Sequence, residues 1–268
     1  HQCVGAQWVQ QNSGTTQHLT DISMINENTG WVCGENGTIL YTTNAGLNWL
    51  PQVSGLTDRL ETMFFVNSLT GFAATRVTGK VIKTTNGGTN WDLIFHTNTA
   101  SFNSIFFIDS LYGWIAAVGL TNQCYSTTTG GNSWDSVTIY PAIGRHIQFI
   151  DKLTGWISIG PLFYKTTNSG KNWFQTYSSS SGEIAEFLFN DTISGWLITS
   201  SYKTFTTTDG GFNWILNETL PACANAHSIF FTNPVTGWVS GDCGYLYNTT
   251  NNGTNWYRQN TKKNSFLK

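Results

Sequence analysis

Three carboxylates, two imidazoles and one guanidinium fall at matching places in a chain otherwise poor in charge. Asp21, Glu61, Glu186, His146, His227 and Arg145 each stand one or two residues past the start of a short apolar stretch, and Asn103 holds the same place in another. Two carboxylates about 5 to 9 Å apart are what glycoside hydrolysis needs. Asp21 and Glu61, expected on neighbouring structural units, are candidates in kind. His146, His227 and Glu186 are metal-ligand types. They come from three different units, however, with no pair at i, i+2 or i, i+4, so neither a metal nor a cofactor is expected.

The elements that must hold these residues come from a repeat. The stretch Gly30 to Trp49 recurs at Gly71 to Trp91, Gly113 to Trp134, Gly155 to Trp173, Gly195 to Trp214 and Gly237 to Trp256. The closing tryptophans are spaced by 42, 43, 39, 41 and 42 residues. Each period carries four short apolar stretches, which is the signature of a propeller blade. A four-stranded sheet of that size cannot stand alone, and packing several around an axis buries both faces of each. The sequence therefore predicts an all-β, six-bladed β-propeller with four-stranded antiparallel blades. It forms one domain over 1–268, with blades at approximately 19–55, 60–97, 102–140, 144–180, 184–220 and 226–260. An extra N-terminal strand is expected at 8–11, where Trp8-Val9-Gln10-Gln11 resembles Trp49 to Gln52.

Alignment of the repeats sets two rings of residues at the mouth of the central channel. One is Thr20, Glu61, Asn103, Arg145, Ala185 and His227; the next is Asp21, Thr62, Ser104, His146, Glu186 and Ser228. Divergence at a fixed place in a repeat suits an asymmetric ligand, while strand starts are also simply wet and polar. The ligand-binding candidates are Asp21, Glu61, Asn103, Arg145, His146, Glu186 and His227, and no catalytic residue is assigned. Tyr112, Tyr140, Tyr177, Phe163 and Tyr202 are expected in or beside loops, where aromatic faces would suit a sugar.

Each repeat ends in one turn: TTNAGLNW at 42–49, then TTNGGTNW, TTTGGNSW, TTNSGKNW, TTDGGFNW and TTNNGTNW. Its structural residues are Asn44, Gly46, Trp49, Asn86, Gly88, Trp91, Trp134, Asn168, Trp173, Asp209, Trp214, Asn251 and Trp256. A short polar side chain accepts turn amides and Gly takes the backbone angle others resist. The motif resembles the Asp-box, or BNR repeat, with Thr for Ser and mostly Asn for Asp. With the preceding TGW-x-x-G pattern, the chain resembles the YCF48-like photosystem II assembly factors over roughly residues 8–260. That resemblance implies a lumenal, periplasmic or secreted propeller that binds protein partners without catalysis. The Asp-box is also familiar from sialidases, which set three arginines on a substrate carboxylate. Arg59, Arg76 and Arg145 are the arginines to weigh, but no Tyr-Glu pair can be named here.

Charged residues are 10% of the chain and its net charge is -2, which speaks against nucleic acid. No stretch of about 20 apolar residues offers a membrane span. Of five cysteines, Cys223 and Cys243 flank the inner strands of the last blade and are the preferred disulfide. Cys3 is paired with Cys33 if the N-terminal strand lies on the closing edge, leaving Cys124 free. The reading is a secreted, periplasmic or lumenal non-catalytic module that recognises a protein partner by loops at one end of the ring. A carbohydrate-binding propeller is the alternative, then a sialidase-like hydrolase.

Overall fold

The computed structural model describes residues 10–119, 123–139, 144–221 and 225–259. These residues form a six-bladed propeller of six four-stranded antiparallel sheets, each in simple up-and-down order. From innermost to outermost strand the blades run Leu19–Met24 to Leu50–Val53, Leu60–Phe65 to Asp92–His96, Ala100–Phe107 to Asp135–Thr138, Gly144–Phe149 to Phe174–Ser178, Ile184–Phe189 to Ile215–Thr219, and Ala226–Phe231 to Tyr257–Arg258. Helix among the described residues is limited to two single 3-10 turns, Glu35–Gly37 and Asp242–Gly244. Of the strand expected at 8–11, Trp8 and Val9 lie outside the described residues, and Gln10 and Gln11 are in no strand.

The TGW pattern is explained by what lies over its glycine. The last residue of the inner strand folds its ring onto the glycine that opens the second strand. A Cβ on Gly71 would sit 2.5 Å from Phe65, and one on Gly113 2.3 Å from Phe107. Only glycine lets the ring lie flat there. The aromatic after that glycine then reaches into the next blade. Trp31 stacks on Phe65, Phe72 on Phe107, Trp114 on Phe149, Trp156 on Phe189 and Trp196 on Phe231. The closing Trp of the receiving blade meets the same Phe edge-on, as Trp91 does Phe65 and Trp173 does Phe149.

Each of these joints is also tied by a hydrogen bond to the next blade's turn. The indole N–H of Trp31, Trp114, Trp156 and Trp196 donates to the carbonyl of Gly87, Ser169, Gly210 and Asn252. Blade two has Phe72 instead, which has no N–H to give. There the Lys83 ammonium, over the Phe72 ring, donates to the equivalent carbonyl of Gly130 at 2.8 Å.

Five apolar clusters lie between successive blades, one for each joint from blades one and two to blades five and six. Among the described residues no such joint links blade six to blade one. Ile22 and Met24, on the face blade one would turn to a preceding blade, are 56% and 44% exposed. Their counterparts Met63 and Phe65 are 3% and 5% exposed. Phe230, on the opposite face of blade six, is 57% exposed, and Trp238 is half-buried. Farther from the axis the two faces are covered, for Val32, Leu40 and Leu246 are buried.

The six turns share one hydrogen-bond pattern. The Thr42 hydroxyl accepts the Gly46 N–H, and the Asn44 carboxamide oxygen accepts the Asn48 N–H at 2.9 Å. Asn86, Asn168, Asp209 and Asn251 repeat this. In the third copy the Thr129 hydroxyl takes the place of the carboxamide and accepts the Ser133 N–H at 3.0 Å. Gly46 and Gly88 hold φ of 81° and 86°, the left-handed region in which glycine is at ease.

Candidate functional site

The first ring of mouth residues is a ring of β-bulges. Pairing of the two innermost strands skips one residue per blade: Thr20, Glu61, Arg145, Ala185 and His227 at the second place of their strands, and Asn103 in blade three. A bulge frees a residue from the ladder and re-aims its side chain. Period-two alternation in the sequence gives no sign of it, beyond the failure of any two blades to agree there.

The bulged side chains are held by neighbours. The Thr20 hydroxyl donates to the Leu60 carbonyl at 2.6 Å, and the Asn103 carboxamide to the Gly144 carbonyl at 2.8 Å. Glu61 is gripped from both sides, by Arg59 at 2.8 Å and Arg76 at 2.9 Å, with Arg59 also 3.5 Å from Glu35. Arg145 pairs with Glu183. His227 Nε2 lies 2.6 Å from Asp242 Oδ1. Burial raises the Asp242 carboxyl, but the His227 bond and the Asn225 amides outweigh it and hold the group below its ordinary value.

The second ring turns forward into the next blade. Asp21 Oδ2 accepts the Met63 N–H at 2.8 Å and Glu186 Oε2 accepts the Ile229 N–H at 3.0 Å. Thr62 and Ser104 do the same for Ile105 and Ile147, both at 3.4 Å. Burial pushes Asp21 up to about 6 and Glu186 up to about 7, against the pull of these amides. Burial pushes His146 down to about 4; its Nδ1 is 3.8 Å from Glu186 Oε1 and its ring sits edge-on to Phe187. The structure thus brings His146 and Glu186 together. Glu61 is set apart in its arginine clamp. Among the described residues no group of His, Cys, Asp and Glu has metal-site geometry.

The charged residues of the mouth that the repeat alignment passed over are Glu35, Asp58, Lys80, Glu183 and Asp242. Lys80 and Asp58 pair at 2.9 Å. These residues lie in loops and strand ends flanking the bulges, where no repeat position marks them.

Several expectations are corrected. Phe163 and Tyr202 are fully buried: both fall on inward positions beside tight hairpins. Tyr112 is half-buried under the Lys152 ammonium, 4.0 Å from its ring centre, and Tyr177 packs on Trp214. Tyr140 lies outside the described residues. Cys33 is a free buried thiol against the Thr20 hydroxyl, so it is not paired with Cys3; the inner-facing position of the second strand encloses it. Cys124 is also free and buried. Cys243 is not a free thiol, while Cys3 and Cys223 lie outside the described residues. A shallow groove also runs along the outer side of blade one, between Ser13–Thr15 and Trp49–Leu56. It is lined by residues of the two outer strands of blade one and the loops beside them.

The fold and the ring of bulges define a repeat-built propeller with a charged mouth. Residues 1–99 match the family model described as photosynthesis system II assembly factor YCF48. No curated protein matches. Among solved structures, one described as YCF48 bound to D1 peptide is 20% identical, with a TM-score of 0.76, covering 94% of this chain and 84% of that one. YCF48 from Cyanidioschyzon merolae is 18% identical, with a TM-score of 0.74, over 97% and 90% of the two chains. The GH74 xyloglucanase from Xanthomonas campestris is 12% identical, with a TM-score of 0.67, over 88% of this chain and 45% of that one. In fold the chain is similar to the YCF48 propellers.

Proposed function

We propose that this chain is a non-catalytic binding or assembly module of an extracytoplasmic compartment (secreted, periplasmic or lumenal). It takes a polypeptide partner on the loops and bulges of the mouth. The observation that carries this reading is the state of the three candidate carboxylates. Glu61 is neutralised by two arginines, while Asp21 and Glu186 are spent on the backbone amides of the next blade. None is poised at a free site as a hydrolytic pair requires. The arginines that a sialidase-like site would turn on its substrate are turned instead on the chain's own Glu61 and Glu183.

What the mouth presents outward is a rim of half-exposed ion pairs, with Arg76, Arg145 and Glu183 about half open to solvent. Such rims steer and register a polypeptide partner more than they hold it. The match of residues 1–99 to the assembly-factor model, and a related fold described with a bound peptide, support a protein partner over a glycan. The test is a bead-displayed library of synthetic peptides, screened with the native chain and with Arg76→Glu and Arg145→Glu. Peptides retained by the native chain should be lost from both variants at unchanged far-UV circular dichroism. Equal retention by the variants, or retention of glycans in place of peptides on a parallel array, would overturn the reading.

A further inference from the structure

At the end opposite the mouth each blade turns twice, once after its inner strand and once after its third, and the two turns are bonded to each other. In the first turn an Asn or Asp side chain accepts the N–H groups two and three residues on, as Asn67 does from Leu69 and Thr70, and Asp151 from Leu153 and Thr154. The carbonyl of the residue two on then accepts an N–H of the second turn: Leu69 from Gly87, Leu111 from Gly130, Leu153 from Ser169, Ile193 from Gly210 and Val235 from Asn252. These bonds use backbone alone, and Asn28 makes the same two in blade one, so the turn does not call for an aliphatic side chain. Five blades of the six nevertheless carry one, each 50–58% exposed. Together they form a crown around the axis. Leu47 and Phe212, in the second turns, extend it outward, and the Phe174 ring of blade four lies on that of Phe212, with centroids 6.2 Å apart. At roughly half a large side chain apiece, these eight residues offer on the order of 700 Å² of apolar surface. Soluble monomers seldom expose more than a few hundred Å² in one patch, and each partner of a stable interface gives about 800 Å².

We propose that this crown is the contact face of a dimer, in which two copies of the chain meet end to end with their mouths pointing outward. The form of the patch selects the occupant. A partner strand or helix crosses a ring along one line and covers two or three of its positions, whereas a second crown covers them all. A lipid surface is flat enough to do the same, but the charges of this end oppose it. Asp109, Asp151 and Asp191 stand two residues before Leu111, Leu153 and Ile193, and insertion of the crown would strip water from them. Of the lysines there, Lys83 and Lys165 are folded onto turn carbonyls and Lys152 is paired with Asp109, which leaves little free positive charge to draw the face to anionic headgroups. A protein interface keeps such groups wet at its polar margin. The mouth end is rimmed by ion pairs instead, so the crown finds its match on the crown of another copy. A face that meets itself is isologous and closes at two. It lies at the far end of the ring from the mouth, so this proposal stands or falls independently of the partner reading above.

The experiment is sedimentation equilibrium of the full chain from about 1 to about 100 μM, a range that brackets micromolar affinity. The native chain should reach the dimer mass within it. Leu111→Asp combined with Leu153→Asp should raise the dissociation constant about a hundredfold or more, at unchanged far-UV circular dichroism. Both side chains are half-exposed, so the fold does not depend on them. Val53→Asp combined with Val77→Asp places the same charges on exposed residues of the mouth end and should leave the dimer intact. A native chain that is monomeric throughout overturns the proposal. So does a dimer that survives the crown substitutions, or one that the mouth-end substitutions break instead. Flotation of the native chain with phosphatidylcholine vesicles, abolished by the crown substitutions, overturns it in favour of a lipid surface.

Discussion

The indole of Trp31 lies flat on the ring of Phe65, with centroids 3.6 Å apart and planes 7° from parallel, and this pair joins blade one to blade two. Phe65 is 5% exposed, whereas Met24, its counterpart one blade earlier, is 44% exposed. Phe65→Ala should therefore cost about 3–5 kcal/mol of unfolding free energy. Met24→Ala should stay within about 1 kcal/mol. Urea denaturation followed by tryptophan fluorescence measures both, and equal losses would show that blade one is packed on both sides.

The acidic groups of the channel set a pH dependence with a defined sign. Glu186 rises to about 7 from 4.5 and Asp21 to about 6 from 3.8, in both cases mainly by burial. In that window the folded chain keeps protons that the unfolded chain has released. Their contribution is therefore largest in acid and is lost as pH rises through 6 to 7. Glu186→Gln removes one such group. The native chain should lose melting temperature relative to this variant between pH 4.5 and 7.5, and parallel melting curves across that range would contradict the assignment.

His146 works in the opposite direction. Burial holds it near 4 instead of 6.5, so the unfolded chain takes up a proton that the folded chain refuses. Stability from this group is present above about pH 6.5 and lost as pH falls towards 4. His146→Phe should abolish that part of the acid loss, as read from melting temperatures between pH 4 and 7; a variant as acid-sensitive as the native chain would refute it.

Cys33 and Cys124 are buried, and burial raises both thiols well above the ordinary range. Neither should be alkylated by iodoacetamide in the folded chain at pH 8, and both should be modified in guanidinium. Peptide mass spectrometry reads each site separately. Modification of Cys33 before unfolding would mean that the second strand of blade one opens locally.

The Thr166 hydroxyl accepts the N–H groups of Asn168 and Gly170 in the fourth turn. Thr166→Val keeps the shape and strands both donors, at a cost of about 1–3 kcal/mol. Differential scanning calorimetry measures that cost, and Thr129→Asn, which restores the usual residue to the third turn, should be neutral or mildly stabilising by the same measurement.

The architecture was legible because each blade spends the same residues on the same contacts. The glycine under Phe65, the aromatic at 31, 72, 114, 156 and 196, and the Thr-Thr-Asn turn recur at a fixed period, and all of them act within or between adjacent blades. The mouth was legible only as two rings. Which ring faces the axis depends on a bulge, and a bulge leaves no mark on apolar periodicity. Asp21 and Glu186 read as ligand residues because their amide partners, Met63 and Ile229, are some 42 residues away. The bare face of blade one had one visible sign, a Met at position 24 where the other five copies have Phe. Alignment of repeats hides it, since alignment assigns every copy the same surroundings.

Among the described residues five aromatic joints link the six blades, and blades one and six each take part in one. A closed ring would unfold as a unit, since no blade could leave before its neighbours. Through these five joints stability passes from blade to blade as in a short linear array, in which each unit depends on its nearest neighbours. Amide hydrogen exchange should therefore be slowest in blades three and four and grade outward, with the inner strands of blades one and six exchanging first.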